Sequence, residues 1–311
     1  MKKWHLAYET VALCLCRLFD CLVFAYSDLI LSFTLQINAF SAYPARFLYN
    51  FASEMTQNTT VMNNEEKIKQ AAEILSKAKN IVGFTGAGTS AESGIPPFRG
   101  EGGIWNQYDP NSLDIDFYYR HTKESWKIIR EVFYNFFSNK DIKPNPGHLV
   151  LAKWEKEGRL SSVITQNIDD LHTVAGNTVV YEFHGNMSRF VCTKCGHKVD
   201  AKSLTLTEEP PRCAQCGGLM KPDFIFFGEG IPEDAYYGSV RAAENCDAFV
   251  IIGTSGQVSP ANMIPGIAKR HGAKIIEINM EPSAYTNYIT DIYLEGKSGE
   301  ILPAIDALMT R

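Results

Sequence analysis

Ile81-Val82-Gly83-Phe84-Thr85-Gly86-Ala87-Gly88-Thr89-Ser90-Ala91 is the stretch that decides the fold class of this chain. Its first four residues form a short apolar run, the mark of a strand buried on both faces. The run leads directly into Gly86-Ala87-Gly88-Thr89-Ser90-Ala91, a match to G-x-G-x-x-G/A. Glycines at these places let backbone approach a pyrophosphate, and a following helix N-terminus can face its charge. The other reading is a tight strand-to-helix turn with no ligand. Placement directly after the first strand favours binding.

Upstream of this stretch, Ile68, Ala71, Ala72, Leu75 and Ala78 recur at helical spacing with Glu and Lys between them. Downstream, further apolar strand candidates lie at residues 163–165, 179–181, 248–253 and 274–278, with a helical stretch at 260–271. Strands alternating with helices predict an α/β fold, a parallel sheet with helices on both faces. Two segments break the alternation. Residues 100–146 are helical in pattern and rich in aromatics, and residues 186–222 hold paired cysteines. Both read as insertions that build a second, smaller lobe.

The 311 residues suggest about two domains at roughly 150 residues each. With 45% apolar and 21% charged residues the chain can bury an enzyme-sized core. A net charge of −5 excludes a global basic field, so neither direct nucleic-acid binding nor adhesion to an acidic membrane is expected. Residues 1–54 are rich in Leu, Phe, Tyr and Cys. A membrane span there is interrupted by Arg17, Asp20 and Asp28, and a signal peptide by Glu9. No stable membrane insertion is expected. Residues 1–62 read as an extension outside the working fold, translated upstream sequence with initiation at Met55 or Met62. The cysteine pattern is not that of a secreted disulfide scaffold, which places the protein in a reducing compartment, the cytoplasm.

Cys192-x-x-Cys195 and Cys213-x-x-Cys216 form two knuckles that can set four thiolates around one zinc ion. Gly196, Gly217 and Gly218 permit the tight turns. Four thiolates fill the metal and leave no position for water, so the zinc is structural. The rival is a ribbon that grips nucleic acid, but residues 198–212 mix Lys with Asp and Glu and form no basic stripe. Cys246, alone in an apolar stretch, reads as a buried small hydrophobe.

A hydride-transferring dehydrogenase would carry a second strand ending in Asp or Glu roughly 20 residues beyond the glycine loop. Here the loop runs into Gly94-Ile95-Pro96-Pro97-Phe98-Arg99 and then the aromatic insertion. Gln166-Asn167-Ile168-Asp169 instead follows the strand candidate at Val163, where ligands of open parallel sheets bind. Its amides and carboxylate suit a ribose and a carboxamide. They could equally cap a helix, with Asn167 or Asp169 at the N-cap. His184 also follows a strand candidate and can act as a general base near neutral pH. His172 reads as helix packing, His148 as a helix start and His197 as an exposed neighbour of the knuckle.

The ordered series from Gly86-Ala87-Gly88 to Phe98-Arg99, then Gln166-Asn167-Ile168-Asp169, then Phe183-His184-Gly185, resembles the sirtuin family. The four cysteines, Lys221-Pro222, Phe227-Gly228-Glu229, Gly253-Thr254-Ser255 and Ile278-Asn279 continue the match in order. The resemblance covers about residues 65–310, with the short loops of compact bacterial or archaeal members. It implies a Rossmann-type NAD-binding domain of residues 63–99, 147–185 and 223–311. A small lobe would comprise a helical module at 100–146 and a zinc ribbon at 186–222. The implied activity is NAD-dependent protein-lysine deacylation, deacetylation first, with NAD as co-substrate and release of nicotinamide and O-acyl-ADP-ribose. Protein mono-ADP-ribosyl transfer on the same fold is the alternative. A non-catalytic binding module is a third reading, disfavoured by the set Asn167, Asp169 and His184.

The resemblance also implies roles. His184 matches the catalytic base and Asn167 lies beside the reacting ribose. Ala87, Ala91, Phe98 and Arg99 match the cofactor loop, and Gln166, Ile168 and Asp169 the nicotinamide and ribose pocket. Gly253, Thr254, Ser255, Asn279, Lys297 and Ser298 match the adenosine side. Phe227, Gly228, Glu229 and the Gln257-Val258 loop match segments that hold an extended acyl-lysine peptide between them. Three positions depart from the frequent pattern: Thr89, Pro97 and Gly256. Tyr134 is present, but Phe137 stands where relatives acting on acidic acyl groups carry Arg. A neutral acyl group is therefore expected.

Overall fold

The computed structural model describes residues 63–98, 102–135 and 142–309. The readings made for residues 1–62, Arg99 and Phe137 fall outside them. In the first helix, α1 (Asn64–Lys77), the Asn63 side chain accepts from the Glu66 N–H at 2.9 Å. Acidic Glu65 and Glu66 begin the helix and Lys77 ends it, in line with the helix dipole. Strand β1 (Ile81–Thr85) follows and is buried throughout.

The large sheet contains β1, β2 (Leu160–Thr165), β3 (Val180–Glu182), β7 (Ala248–Ile252), β8 (Lys274–Asn279) and β9 (Ile292–Glu295). Its spatial order is β3-β2-β1-β7-β8-β9, and every pairing is parallel. Helices α1, α4 (Pro146–Lys156) and α8 (Ser298–Leu308) cover one face, and α6 (Glu233–Asn245) and α7 (Ile264–Arg270) the other. β7 shows how a wholly apolar strand serves both faces. Ala248, Val250 and Ile252 enter one core, while Phe249 and Ile251 enter the other. The order reverses between β1 and β7, which opens a crevice at their carboxyl ends.

The smaller sheet is antiparallel, ordered β5 (Lys198–Asp200), β4 (Gly185–Cys192), β6 (Met220–Phe224). It shares one core with the aromatic insertion, α2 (Ile115–Arg120), α3 (Thr122–Ile129) and a π-helix at Arg130–Asn135. Trp126, Tyr118, Phe133, Phe190 and Phe226 are fully buried there. Trp126 and Phe190 meet edge to face at 5.9 Å, and Trp126 Nε1 donates to Thr207 O at 3.0 Å. The two insertions read from sequence are thus halves of one packing unit.

The glycine loop ends differently from the expected α-helix. Ala87–Ser93 is a 3-10 helix, closed by Gly94 at φ 85°. Two prolines, Pro96 and Pro97, follow and offer no N–H to continue it. The helical stretch expected over 260–271 is a 3-10 turn, Ala261–Met263, leading into α7.

Candidate functional site

Gly86 and Gly88 are fixed by what they touch. A Cβ on Gly86 would lie 2.8 Å from Gly253 O, and one on Gly88 2.8 Å from Gly253 Cα. Gly253, at φ 62°, has no room for a side chain against Thr89 N. The Gly86 N–H donates to Ile252 O and the Gly88 N–H to Gly253 O, both at 2.9 Å. Both amides are therefore used inside the protein, and these glycines serve backbone-to-backbone contact between the ends of β1 and β7. Both also line the cavity beyond these strand ends, so the internal use of their N–H groups leaves open the close approach of a pyrophosphate expected there.

A cavity of about 690 Å³ opens beyond these strand ends. Its wall includes Gly86, Ala87, Gly88, Ala91 and Phe98 from the glycine segment, and Gln166, Asn167 and His184 from the ends of β2 and β3. Gly253, Thr254, Ser255, Val258, Asn279, Lys297 and Ser298 complete the opposite side. The structure therefore brings together most of the residues assigned from sequence to the cofactor.

Asn167 is buried, and its Nδ2 donates to Gly86 O and Ser90 Oγ at 3.1 Å each. With both amide hydrogens engaged, it presents an acceptor to the cavity. Gln166 Nε2 donates to Thr254 Oγ1 at 3.1 Å and ties the two sides together. Asp169 is not on this wall. Its Oδ2 accepts from Ser90 Oγ at 2.7 Å and its Oδ1 from the Leu171 N–H at 3.0 Å. Burial pushes its carboxyl up, opposed by those two hydrogen bonds. The residue at the N-cap of α5 (Leu171–Ala175) is Asp170 at φ 67°, with Asp169 supplying the side-chain acceptor and Asn167 none.

His184 Nδ1 lies 3.0 Å from Gln166 O, so the Nδ1–H donates there and Nε2 is the basic nitrogen. Burial holds its pKa below the ordinary histidine value, partly opposed by that hydrogen bond. The imidazole is consequently neutral near pH 7, as a general base requires.

A second cavity, of about 210 Å³, is lined mainly by Phe98, Trp105, Leu113, Phe133, Ile168, Phe224, Phe226, Phe227 and Ile231. Gln166, His184, Phe98 and Val258 belong to the walls of both cavities. Tyr134 is absent from this wall. The π-helix advances by more than an α-helical turn per hydrogen-bonded ring, and Phe133 is the residue facing the cavity. The Tyr134 hydroxyl instead donates to Met187 O at 3.0 Å, with its ring on Phe190 at 5.3 Å.

Phe227 already spends its backbone on the small lobe. Its N–H donates to Leu113 O, and its carbonyl accepts from the Ile115 N–H, both at 2.9 Å. Glu229 turns inward, with Oε2 3.0 Å from Lys221 Nζ and 2.8 Å from the Phe226 N–H. Buried Lys221 also donates to Pro222 O and Phe224 O, and burial lowers its pKa. Gly228 at φ 86° makes the turn. Phe227, Gly228 and Glu229 thus shape the mouth of the apolar cavity, and Val258 faces them across it.

The four Sγ atoms of Cys192, Cys195, Cys213 and Cys216 lie within 4.8 Å of one another. Nearest pairs are 3.4 to 3.8 Å apart. Zn–S bonds of about 2.3 Å in a tetrahedron require about 3.8 Å edges, so the donor set fits zinc. A disulfide needs about 2.05 Å and is excluded. Gly196 and Gly217, at φ 72° and 68°, turn the two knuckles, and a Cβ on Gly218 would lie 2.9 Å from Cys192 Sγ. His197 is half-buried rather than exposed, and Cys246 is buried as expected.

Three residues essential to this geometry carry little sequence signal. Asn145 Nδ2 donates to Thr89 O at 2.7 Å while its Oδ1 caps α4, locking the glycine segment onto that helix. Glu92 accepts from the Gly299 N–H at 2.7 Å, covering the start of α8 beside Ser298. Ser90 joins Asn167 to Asp169.

Residues 86–260 match the model of the Sir2 family. This chain belongs to the Sir2 family. It is 44% identical over 246 residues to an NAD-dependent protein deacylase of Pyrococcus abyssi, covering 76% of this chain and 96% of that protein. It is 40% identical to NAD-dependent protein deacetylase 1 of Pyrobaculum aerophilum, covering 77% and 94%. Among solved structures, a Sir2 homologue in complex with NAD superposes with a TM-score of 0.71 at 36% identity, over 77% of this chain and 93% of that one. A Sir2 enzyme holding a deacetylated p53 peptide and acetyl-ADP-ribose superposes with a TM-score of 0.71 at 33% identity, over 77% and 97%. The parallel sheet and cysteine cluster of this Sir2-family chain agree with the fold read from its sequence.

Proposed function

We propose that this chain is an NAD-dependent protein-lysine deacylase, acting first on acetyl-lysine, that releases nicotinamide and O-acyl-ADP-ribose. One observation carries the reading: His184 stands where the polar and apolar cavities share a wall. NAD is the substrate suited to the polar cavity, and the acyl end of an extended lysine peptide to the apolar one. The acyl oxygen bonds to the anomeric carbon as nicotinamide leaves. His184 Nε2 takes a proton from a ribose hydroxyl, which attacks the captured acyl carbon, and water resolves the adduct to free lysine. Asn167 and Gln166 orient the ribose and carboxamide in this reading, while Gly253, Thr254, Ser255, Asn279, Lys297 and Ser298 hold the adenosine half. Zinc bound by the four thiolates supplies structure to the small lobe, not chemistry.

The division proposed is an NAD-binding domain of residues 63–99, 147–185 and 223–311, with 100–146 and 186–222 as the small lobe. A cytoplasmic setting suits four thiolates that must stay reduced to hold metal. Among the described residues no helix is long and apolar enough to cross a membrane. The apolar cavity contains no unpaired cation among its described lining residues, and its one carboxylate, Glu229, is engaged by Lys221. A neutral acyl group is therefore favoured over succinyl.

Zinc-loaded protein, NAD and acetyl-lysine peptide should yield deacetylated peptide, nicotinamide and acetyl-ADP-ribose in equal amounts by mass spectrometry. Succinyl peptide should turn over much more slowly, and comparable rates would refute the acyl preference. Nicotinamide release with the acetyl group intact would identify ADP-ribosyl transfer or NAD hydrolysis instead.

A further inference from the structure

Glu277 is completely buried in the middle of β8, and the cavity-lining residues named above do not include it. Its carboxylate forms no ion pair among the described residues. Four neutral donors surround it: Asn279 Nδ2 at 3.0 Å, Ser283 Oγ at 2.5 Å, Thr286 Oγ1 at 3.0 Å and Thr290 Oγ1 at 2.7 Å. A buried carboxyl so fully supplied is a built feature, since an acceptor buried without donors costs several kcal/mol.

We infer that Glu277 is a positioning residue for the adenosine half of NAD, acting through Asn279 and the segment 283–290. This inference rests on the deacylase reading above. Asn279 Nδ2 also donates to Thr254 O at 3.0 Å. Its two amide hydrogens are thus assigned inward, one to Glu277 and one to Thr254. The amide cannot flip without losing both, so its Oδ1 is the atom offered at the cavity wall. An acceptor held there selects a sugar hydroxyl, which donates, over a phosphate oxygen, which does not.

The same carboxylate holds a second point of that wall at one remove. The segment it anchors sends the Ala284 N–H to Ser255 O at 3.1 Å. It also sets the Tyr285 ring where a Cβ on Gly256, at φ 70°, would lie 2.7 Å away. That contact accounts for the departure at Gly256: the Tyr285 ring fills the space that a side chain at 256 would need. Glu277 therefore ties Asn279, Thr254 and Ser255 to one buried point.

The test compares Glu277→Met, which keeps volume and removes the acceptors, with Glu277→Gln. The amide introduced by Glu277→Gln keeps one oxygen that can still accept from Asn279, Ser283 and Thr286. In the Met variant KM for NAD should rise about tenfold, with kcat at saturating NAD within about twofold of wild type. The dissociation constant for ADP-ribose, by calorimetry, should rise in parallel. Glu277→Gln should restore most of both. ADP-ribose binding unchanged in the Met variant, or kcat falling with KM unmoved, would overturn the inference. Should Glu277→Met not fold, Ser283→Ala and Thr290→Val each remove one donor from the cluster. A smaller rise in KM for NAD is then expected, and an unchanged KM in both refutes the role. Wild-type protein that turns over no NAD would reject the deacylase reading itself, whereas ADP-ribose binding still reports on Glu277.

Discussion

The two cavities that meet at His184 are built by opposite means. The apolar one is held by side chains: Phe133, Phe224 and Phe226 pack ring against ring, and the cysteine cluster closes the same core. The polar one is held by backbone: Gly86, Gly88 and Gly253 touch where no Cβ fits, and strand-end amides and hydroxyls finish the wall. One region should therefore fail when atoms are removed, the other when they are added. Losing His184, which they share, should stop the reaction and leave both regions standing.

The largest effect is expected from removing the metal. Structural zinc contributes about 10–16 kcal/mol in small zinc-finger peptides, more than the whole stability of most domains. Chelation, or Cys213→Ser, should unfold the ribbon and open the aromatic core that lines the apolar cavity. Deacylation should vanish, while the parallel-sheet core keeps its protection in hydrogen exchange. Loss of protection in β1 and β7 together with the ribbon would show that the regions are not separately held.

At the shared wall, His184→Ala should lower deacylation by about 10²- to 10⁴-fold, the range for a lost general base. ADP-ribose should still bind, because the adenosine side is untouched. A variant whose binding and turnover fall together would make His184 a structural residue.

On the polar side, Gly253→Ala tests the rule of added atoms. A side chain at positive φ costs about 1–2 kcal/mol and overpacking about 1–3 more, so a loss of about 4 kcal/mol is expected by denaturant unfolding. A stability change under about 1 kcal/mol would mean that the contact between strand ends yields easily.

What the sequence revealed divides along the same line. β1, β2, β7 and β8 are legible because a parallel strand buried on both faces must be apolar throughout. The cysteine spacing is legible because zinc geometry restricts it. β9 has only four residues, and its burial alternates over just two turns of the pleat, too short a pattern to distinguish. The glycine motif was legible as spacing, but its partner lies more than 160 positions away, so the contact with Gly253 could not be read locally. Tyr134 stood in the expected place, yet the π-helix turned Phe133 to the cavity, and nothing in the local residue types announces that winding. Asn145, Glu92 and Glu277 act through hydrogen bonds to other segments, which leave no periodic trace.

The smallest expected effect concerns the support beneath the polar wall, and it separates hydrogen bonding from charge. His148 is fully buried beside His172, ring centroids 4.8 Å apart, and its Nδ1 accepts from the Asn145 N–H at 3.4 Å. Burial lowers its pKa from 6.5 to about 4. The unfolded chain therefore takes up a proton below pH 6.5 that the folded chain refuses until about pH 4. The stabilising contribution is complete above the unfolded value and is lost as pH falls between the two. The loss amounts to about 2 kcal/mol by pH 5 and about 3 kcal/mol by pH 4. His148→Gln keeps an acceptor at the third helical position, as a capping box requires, and cannot titrate. Its unfolding free energy should follow that of the wild type above pH 7 and decline less steeply below 6.5. Parallel curves across the whole range would mean that the buried imidazole is not the source of acid sensitivity, and that Asn145 is held by the cap alone.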